Sequence, residues 1–405
     1  MKQLIKLAWR NIWRKRKRSV IVLVSIAFAI IITISLRSLM LGNGDKTVEA
    51  GVKNVGYIQV HTADYWKDKS INDLLLDDDK LIDKINSIEG VTQIIPRLQN
   101  FSLAAGDKTS KASLVLGIDG DNENEFNKVK DRIVKGSFFT SKSKKVVIAE
   151  GLAKYLKLTV GDTLALIGQG YQANVAAGKY PISGIVKIPN PQMNVMLVYM
   201  PLSLAQEYNS AFGMCSALML NIKDKSQTNR ISKELKSKLG SNYEIMTWDE
   251  MIPEILNGLK IDTTIFTLLS SSLFLIVGFG IIGTIIMMAL ERKKEFGMLQ
   301  AIGLQKSQIQ TVIFLESLML GITGIIIGLS IAIPFMIFMY YHPIPLTGDG
   351  AKSFEAMGVE PIMQFGIKPK LWALMSFIVF CIMLIASLLP IQIINKQKVA
   401  EAIKR

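Results

Sequence analysis

The residues of this chain best suited to doing work gather in one stretch. Glu291, Arg292, Lys293, Lys294 and Glu295 place both signs of charge within five positions, directly after a long apolar run. Such a stretch forms ion pairs and docks on partner surfaces rather than breaking covalent bonds. Phe296, Met298, Leu299 and Ile302 follow with partial helical spacing, and Gly297 and Gly303 bracket the piece. The pattern predicts a short amphipathic helix, and its two acids and apolar face exceed what a merely topogenic basic loop requires. No catalytic set accompanies it. The chain lacks Gly-x-Ser-x-Gly, His-Glu-x-x-His and Cys-x-x-Cys. The only Gly-Lys pair, Gly178-Lys179, is followed by Tyr180, and Ala173 stands where a phosphate-cradling loop needs its first glycine. A P-loop is therefore excluded, and any ATP and Mg must be bound by another polypeptide.

Metal chemistry is equally unsupported. With His61 and His342 as the only histidines, a histidine-rich site or proton relay is excluded. Cys215 and Cys381 fall in segments read as aqueous and membrane-embedded, which excludes a disulfide framework or a cysteine zinc site. Asp77-Asp78-Asp79 and Asp119, Asp121, Glu123 and Glu125 read as solvated loop charges, since the EF-hand ligand pattern is missing. No metal and no cofactor are expected in this chain.

Two ionisable residues interrupt apolar runs. Glu316 sits about one turn into its run and is expected to pair with a basic residue of the inner face rather than to act in transport. Arg37 lies near the other end of its run, where it can snorkel. Ser317, Gly321, Gly324 and Gly328 have the small-residue spacing that lets helices approach closely, and Pro334 and Pro390 imply local kinks.

The elements that must hold these residues follow from composition. Of 405 residues, 50% are apolar, and the mean hydropathy of +0.33 is too high for an ordinary soluble enzyme. Four runs are long enough to span a bilayer as helix: 19–41, 263–290, 311–341 and 371–394. The first, uninterrupted from Val20 to Leu36, exceeds a signal-peptide core and is read as an uncleaved anchor. The net charge is +14, of which residues 1–18 carry +8, residues 291–306 carry +2 and residues 395–405 carry +3. The positive-inside rule places both termini and the 291–310 loop in the cytoplasm. The 42–262 segment and the 342–370 loop are almost charge-balanced and belong outside. The excess charge thus marks topology and lipid contact, not nucleic acid. Residues 1–18 read as an interfacial helix with Ile5, Ala8, Trp9 and Ile12 on one face and Lys6, Arg10, Arg14 and Lys17 on the other.

Segment 42–262 reads as mixed α/β. Leu81, Ile82, Ile85 and Ile88 predict a helix ended by Gly90, followed by a strand at 91–96. A strand at 145–149, a helix at 150–156 and a strand at 163–167 follow. Residues 180–188 and 193–200 predict a strand pair across Pro189-Asn190-Pro191. Ile231, Leu235 and Leu239 mark a helix, 243–246 a strand, and 248–261 a helix continuing into the second run. The fold class is a membrane protein with four transmembrane α-helices and a large mixed α/β extracytoplasmic domain between the first and second.

The pattern Glu-Arg-x-x-Glu-x-Gly-x-x-x-Ala-Ile-Gly, held by Glu291, Arg292, Glu295, Gly297, Ala301, Ile302 and Gly303, resembles that of MacB/FtsX-type permeases of ABC transporters. So do the LAWRNIWRKRKRS stretch with Arg10 and Asn11, the 146–166 segment and the KVAEAIKR tail. GYIQVHTADYW (56–66) is nearest the lipoprotein-releasing, LolC/LolE-like branch. Phe296 departs from the commoner Ile or Leu. Together these cover nearly the whole chain. The resemblance implies two permease copies, identical or paralogous, in a bacterial inner membrane with a dimer of cytoplasmic ABC ATPases. It implies that the 291–303 segment, Lys293 and Lys294 included, couples to the ATPase. It further implies mechanotransmission: ATP-driven movement reshapes the outer domains, which push a lipoprotein or other hydrophobic cargo toward a periplasmic acceptor. Leu36, Met40, Ile265 and Phe266 are then candidates to line an acyl-chain cavity. MacB-like efflux of peptides or small molecules, FtsX-like signalling to cell-wall hydrolases, and a non-transporting membrane sensor or adhesion module remain open alternatives.

Overall fold

The computed structural model describes residues 2–14, 16–76, 78–292, 295, 297–298, 303–356 and 359–395. The chain divides into a helical unit (Met1–Asp45, Gly258–Pro345, Ile362–Arg405) and a sheet unit (Lys46–Asn257, Leu346–Pro361).

The helical unit is built on α1 (Lys2–Arg14), α2 (Arg16–Val55), α3 (Pro253–Glu291), α4 (Lys306–Tyr341) and α5 (Pro369–Asn395), with α2 and α3 contributing residues to both units. Among the described residues, four helices are long and apolar enough to cross a membrane. Each is longer than the apolar run that announces it, because hydropathy marks only what must stay dry while the helix continues to the next stop signal. The basic residues Arg16, Lys17 and Arg18 open α2 instead of closing the interfacial helix. Ser19 donates to the Ile12 carbonyl at 2.7 Å and satisfies one of the carbonyls that the end of α1 leaves open.

Val22, Ile26, Ile30 and Ile34 recur every four residues on α2 and are buried. The small residues of α4 receive them. A β-carbon placed on Gly324 would lie 2.8 Å from Ile26 Cβ, and one on Gly328 would lie 2.8 Å from Ile30 Cβ. Gly321 turns to α5 instead, where its added carbon would meet Met383 Cγ at 2.7 Å. Gly321, Gly324 and Gly328 of the stripe therefore serve two neighbours inside the unit, and Ser317 is buried. Higher on α2, Ser38 accepts from Gly366 N (2.7 Å) and from Trp372 Nε1 (3.0 Å), and Asn43 Oδ1 accepts from Gln364 N (3.1 Å).

The sheet unit holds β1 (Ile58–Thr62), β2 (Leu75–Leu76), β3 (Val91–Ala105), β4 (Ser110–Ile118), β5 (Ile133–Gly136), β6 (Val146–Ala149), β7 (Thr163–Gln169), β8 (Val175–Val186), β9 (Leu197–Pro201), β10 (Met214–Cys215), β11 (Ala217–Ile222) and β12 (Tyr243–Thr247). The main sheet runs β12-β1-β11-β3-β4-β9-β6-β8-β5, with β7 bridging β3 and β8. Helices Asp79–Asn86 and Thr228–Leu239 cover one core, around Ile58, Leu81, Ile85, Leu220, Ile231, Leu235 and Ile245. Helices Glu150–Leu156 and Leu202–Asn209 cover the other, around Val115, Ile148, Leu152, Val198 and Leu204.

Two expectations are corrected here. The strands expected as a pair across Pro189-Asn190-Pro191 do not touch. β9 lies parallel to β4 and antiparallel to β6, and β6 separates it from β8. The cause is local: Asn190 accepts from the backbone of Gln192 and Met193 and starts a helical turn, Pro191–Asn194, where a hairpin needs a tight reversal. The helix expected over 248–261 breaks at Ile252 (φ −128°, ψ 64°), leaving Trp248–Met251 as a separate turn before α3. The residue before a proline is driven out of the helical region, and Pro253 then opens α3, where its missing N–H costs nothing.

His61 on β1 is fully buried, with Nδ1 2.8 Å from the Ser216 carbonyl and its ring stacked on Tyr65. Burial pushes its pKa from the ordinary 6.5 down to about 4. The unfolded chain thus binds a proton that the folded one refuses. This contribution to stability is complete above pH ~6.5 and is lost as pH falls from there toward ~4, up to roughly 3 kcal/mol. Thermal unfolding of the solubilised chain is expected to show the sheet unit weakening between pH 7 and 5. His61→Asn should flatten that slope; the same slope in the variant would remove His61 as its cause.

Candidate functional site

The charged residues singled out above converge at one end of the helical unit. Glu316 on α4 accepts from Arg292 Nη1 at both oxygens (2.9 and 2.6 Å) and from Asn11 Nδ2 of α1 at 2.7 Å. Arg292 Nε also donates to Glu295 at 3.1 Å, and Glu295 takes a second bond from Arg14 at the end of α1. Arg18, in the first turn of α2, pairs with Glu291 at the end of α3. One polar junction therefore ties α1, the start of α2, the end of α3 and α4 together.

Local structure explains why these groups meet. Ala8 and Ile12, one turn apart, are buried on the side of α1 that meets α4, and Asn11 reaches the Glu316 carboxylate of that helix. Ile5, Trp9 and Trp13 are exposed instead. The single apolar face expected on this helix is thus two faces, one against protein and one open. Arg292 follows the last residue of α3, which brings its guanidinium to the carboxylate on α4. The Arg292 and Glu316 side chains are only 11% and 15% exposed, so their charges are compensated by each other rather than by water. Burial works against the Arg292 charge, but Glu316 and Glu295 outweigh it and hold the guanidinium more firmly protonated. Partial burial pushes the Glu295 carboxyl up, and hydrogen bonds from Arg292 and Arg14 overcome this and hold it below the usual range. Among the described residues the set consists of ion-paired and hydrogen-bonded groups that fix the ends of these helices against one another.

Of the other residues expected to couple to an ATPase, Gly297 is buried, and Gly303 (φ +103°) precedes α4 in a conformation that favours glycine. Lys293, Lys294, Ala301 and Ile302 lie outside the described residues, as do Phe296, Leu299 and the KVAEAIKR tail. Leu36 and Ile265 are exposed, Met40 is half-buried, and Phe266 is buried in the helical core beneath the Arg37 guanidinium, 4.9 Å from its ring centroid. Sequence reasoning supplied Glu316 with a basic partner in general terms, but it missed Asn11 and Arg14; only the Arg10-Asn11 pair of the family motif pointed to that helix.

Residues 19–238 match the MacB-like periplasmic core domain, and residues 267–399 match the FtsX-like permease C-terminal domain. The chain belongs to the MacB/FtsX-type family of ABC transporter permeases. It is 24% identical over 352 residues to an uncharacterised ABC transporter permease, MJ1507, of Methanocaldococcus jannaschii, covering 82% of each chain. It is 19% identical over 240 residues to the lipoprotein-releasing system transmembrane protein LolC of Xylella fastidiosa, covering 58% of each. Against the periplasmic region of MacB from Actinobacillus actinomycetemcomitans the TM-score is 0.36 at 14% identity, over 51% of this chain and 96% of that one. This MacB/FtsX-type permease is a multi-pass membrane protein, and the Glu291–Glu316 part of its junction falls inside the FtsX-like match.

Proposed function

We propose that this permease converts ATP hydrolysis by a separate cytoplasmic ATPase dimer into movement of its sheet unit outside the inner membrane. In this reading two copies, identical or paralogous, act together. Both termini and the 291–310 segment face the cytoplasm, and the four apolar helices span the bilayer. The observation that carries it is the junction around Arg292 and Glu316. The segment expected to seat on an ATPase is bonded to three other helices, so a push on it moves the bundle rather than a loose loop. The exposed Ile5, Trp9 and Trp13 suit a helix lying at the inner lipid interface.

The proposed cargo is a lipoprotein, extracted from the membrane and passed to a periplasmic acceptor. The similarity to LolC supports this, as does the 56–66 segment, which forms β1 and the turn Tyr65–Asp68. The test is co-purification of the solubilised chain with a P-loop ATPase, followed by ATP-dependent release of a triacylated lipopeptide from proteoliposomes. Gly297→Pro, which removes a helical N–H next to the junction, is expected to lower release per ATP about tenfold while leaving membrane insertion intact. Unchanged release per ATP would remove the 291–303 segment from the coupling path.

A further inference from the structure

The sheet unit contains a second buried polar cluster that the reading above does not use. Arg97 lies on β3, with Ala217 of β11 and Ile118 of β4 as its neighbours across the sheet. Its guanidinium forks onto Glu123, Nε to Oε2 at 3.0 Å and Nη2 to Oε1 at 2.5 Å, and the two side chains are 7% and 0% exposed. The remaining nitrogen, Nη1, donates to the carbonyl of Asn54 in the last turn of α2. Glu123 sits on helix Gly120–Asn127, whose first turn is capped by Asp119, and Asn127 donates to the same carboxylate.

This geometry matters because of how α2 ends. Gly56 follows the helix at φ +80°, and β1 begins at Ile58. A glycine in that conformation is a permissive link, so the covalent chain alone is a hinge. Gly51 of α2 also lies against Ile252 and Ile255, but those contacts are apolar and non-directional. Gln59 Nε2 of β1 donates to the Val55 carbonyl at 2.5 Å, which ties the helix end to the strand that follows it in the chain, and Arg97 fixes the direction in which that end meets the middle of the sheet. A guanidinium suits this task because its planar fork binds a carboxylate and a helix-terminal carbonyl at once, which an ammonium point charge does not. Stability alone does not account for the arrangement, because a buried ion pair is often no better than an apolar pair of the same volume.

We infer that the Arg97–Glu123 pair is the joint through which α2 moves the sheet, with Arg97 as a positioning residue for transport. The inference rests on the permease reading and adds to it the contact, within the sheet unit, that ties the end of α2 to the strands. The test uses the full chain assembled with its ATPase. In Arg97→Met/Glu123→Leu the buried charges are replaced by apolar groups, while Arg97→Lys keeps a charge beside Glu123 but gives up the fork. Both are expected to hydrolyse ATP within about twofold of the parent while release of the triacylated lipopeptide per ATP falls about tenfold. Amide exchange over residues 50–56 should rise about tenfold in both. If the double variant fails to fold, Arg97→Lys carries the test alone. Parental release per ATP in a folded variant overturns the joint, even with faster exchange, and leaves the permease reading standing. Absence of ATP-driven release by the parent overturns the permease reading itself, and is seen before any variant is made.

Discussion

Arg292→Glu is expected to abolish ATP-driven release and to lower the melting temperature of the solubilised chain, because it sets a second carboxylate against the buried Glu316. Removing one partner of a buried pair costs about 3–5 kcal/mol, since the remaining charge loses both its counter-ion and access to water. The loss here spreads further, because Arg292 also holds Glu295, which holds Arg14 of α1. Exchanging the pair, Arg292→Glu with Glu316→Arg, restores opposite charges in the same pocket and is expected to recover most of the melting temperature. Release should recover less, because the swapped guanidinium no longer reaches Glu295 in the same geometry. Glu291→Lys provides the contrast. That side chain is 28% exposed against Arg18, and a pair of this exposure contributes only ~0–1 kcal/mol. Equal damage from Glu291→Lys and Arg292→Glu would show that charge at the inner face, rather than the buried pair, is what matters.

The junction shows where sequence reasoning stops. Glu316 was legible as an anomaly because a carboxylate inside an apolar run demands a partner. The identity of that partner was not, because Asn11 lies 305 positions away and Arg292 lies 24 positions away. Elements with local signals were read closely: helix Glu150–Leu156 stands where its strand-turn-strand context placed it, and helix Thr228–Leu239 carries Ile231, Leu235 and Leu239 inward. Elements decided by long-range pairing were misread. β3 runs for 15 residues, well past the expected 91–96, because β11, β4 and β7 all pair along it. Glu123 was grouped with solvated loop acids but is fully buried. Its neighbours Asp119 and Asp121 do behave as surface charges, one capping a helix and the other pairing with Lys130 at the surface. Nothing within Glu123's own stretch distinguishes it from them. What separates it is Arg97, 26 residues earlier on a strand whose length the pattern understated.

Alanine at Gly42 is expected to prevent stable assembly of the helical unit, and the other glycines should follow in an order set by what each would meet. A β-carbon on Gly42 would lie 2.1 Å from the Gln364 carbonyl oxygen, and one on Gly366 would lie 3.0 Å from the Gly42 nitrogen. That obstacle is backbone, held by the Ser38 bonds to Gly366 and Trp372, so it has no rotamer into which to retreat. Gly324→Ala and Gly328→Ala meet the branched carbons of Ile26 and Ile30 at 2.8 Å. The nearest of these are stiff side-chain carbons, with the Ala27 Cα at 3.1 Å behind them for Gly328, and a cost of about 1–3 kcal/mol is expected. Gly321→Ala meets only Met383, a flexible side chain that can move aside, and should cost less. Gly280→Ala meets nothing within 4 Å and should be neutral or slightly stabilising as the better helix former. Melting temperatures of the five solubilised variants test the series. If Gly42→Ala melts with Gly280→Ala, the close approach of α2 to the segment before α5 does not hold the unit together. In the proposed coupling the order also bears on transport: α2, which meets the junction at Arg18, Gly324 and Gly328 along its length, and Arg97 at its far end, would transmit movement only while both glycines let it lie against α4. A bulkier residue there should uncouple release from hydrolysis even where the protein survives.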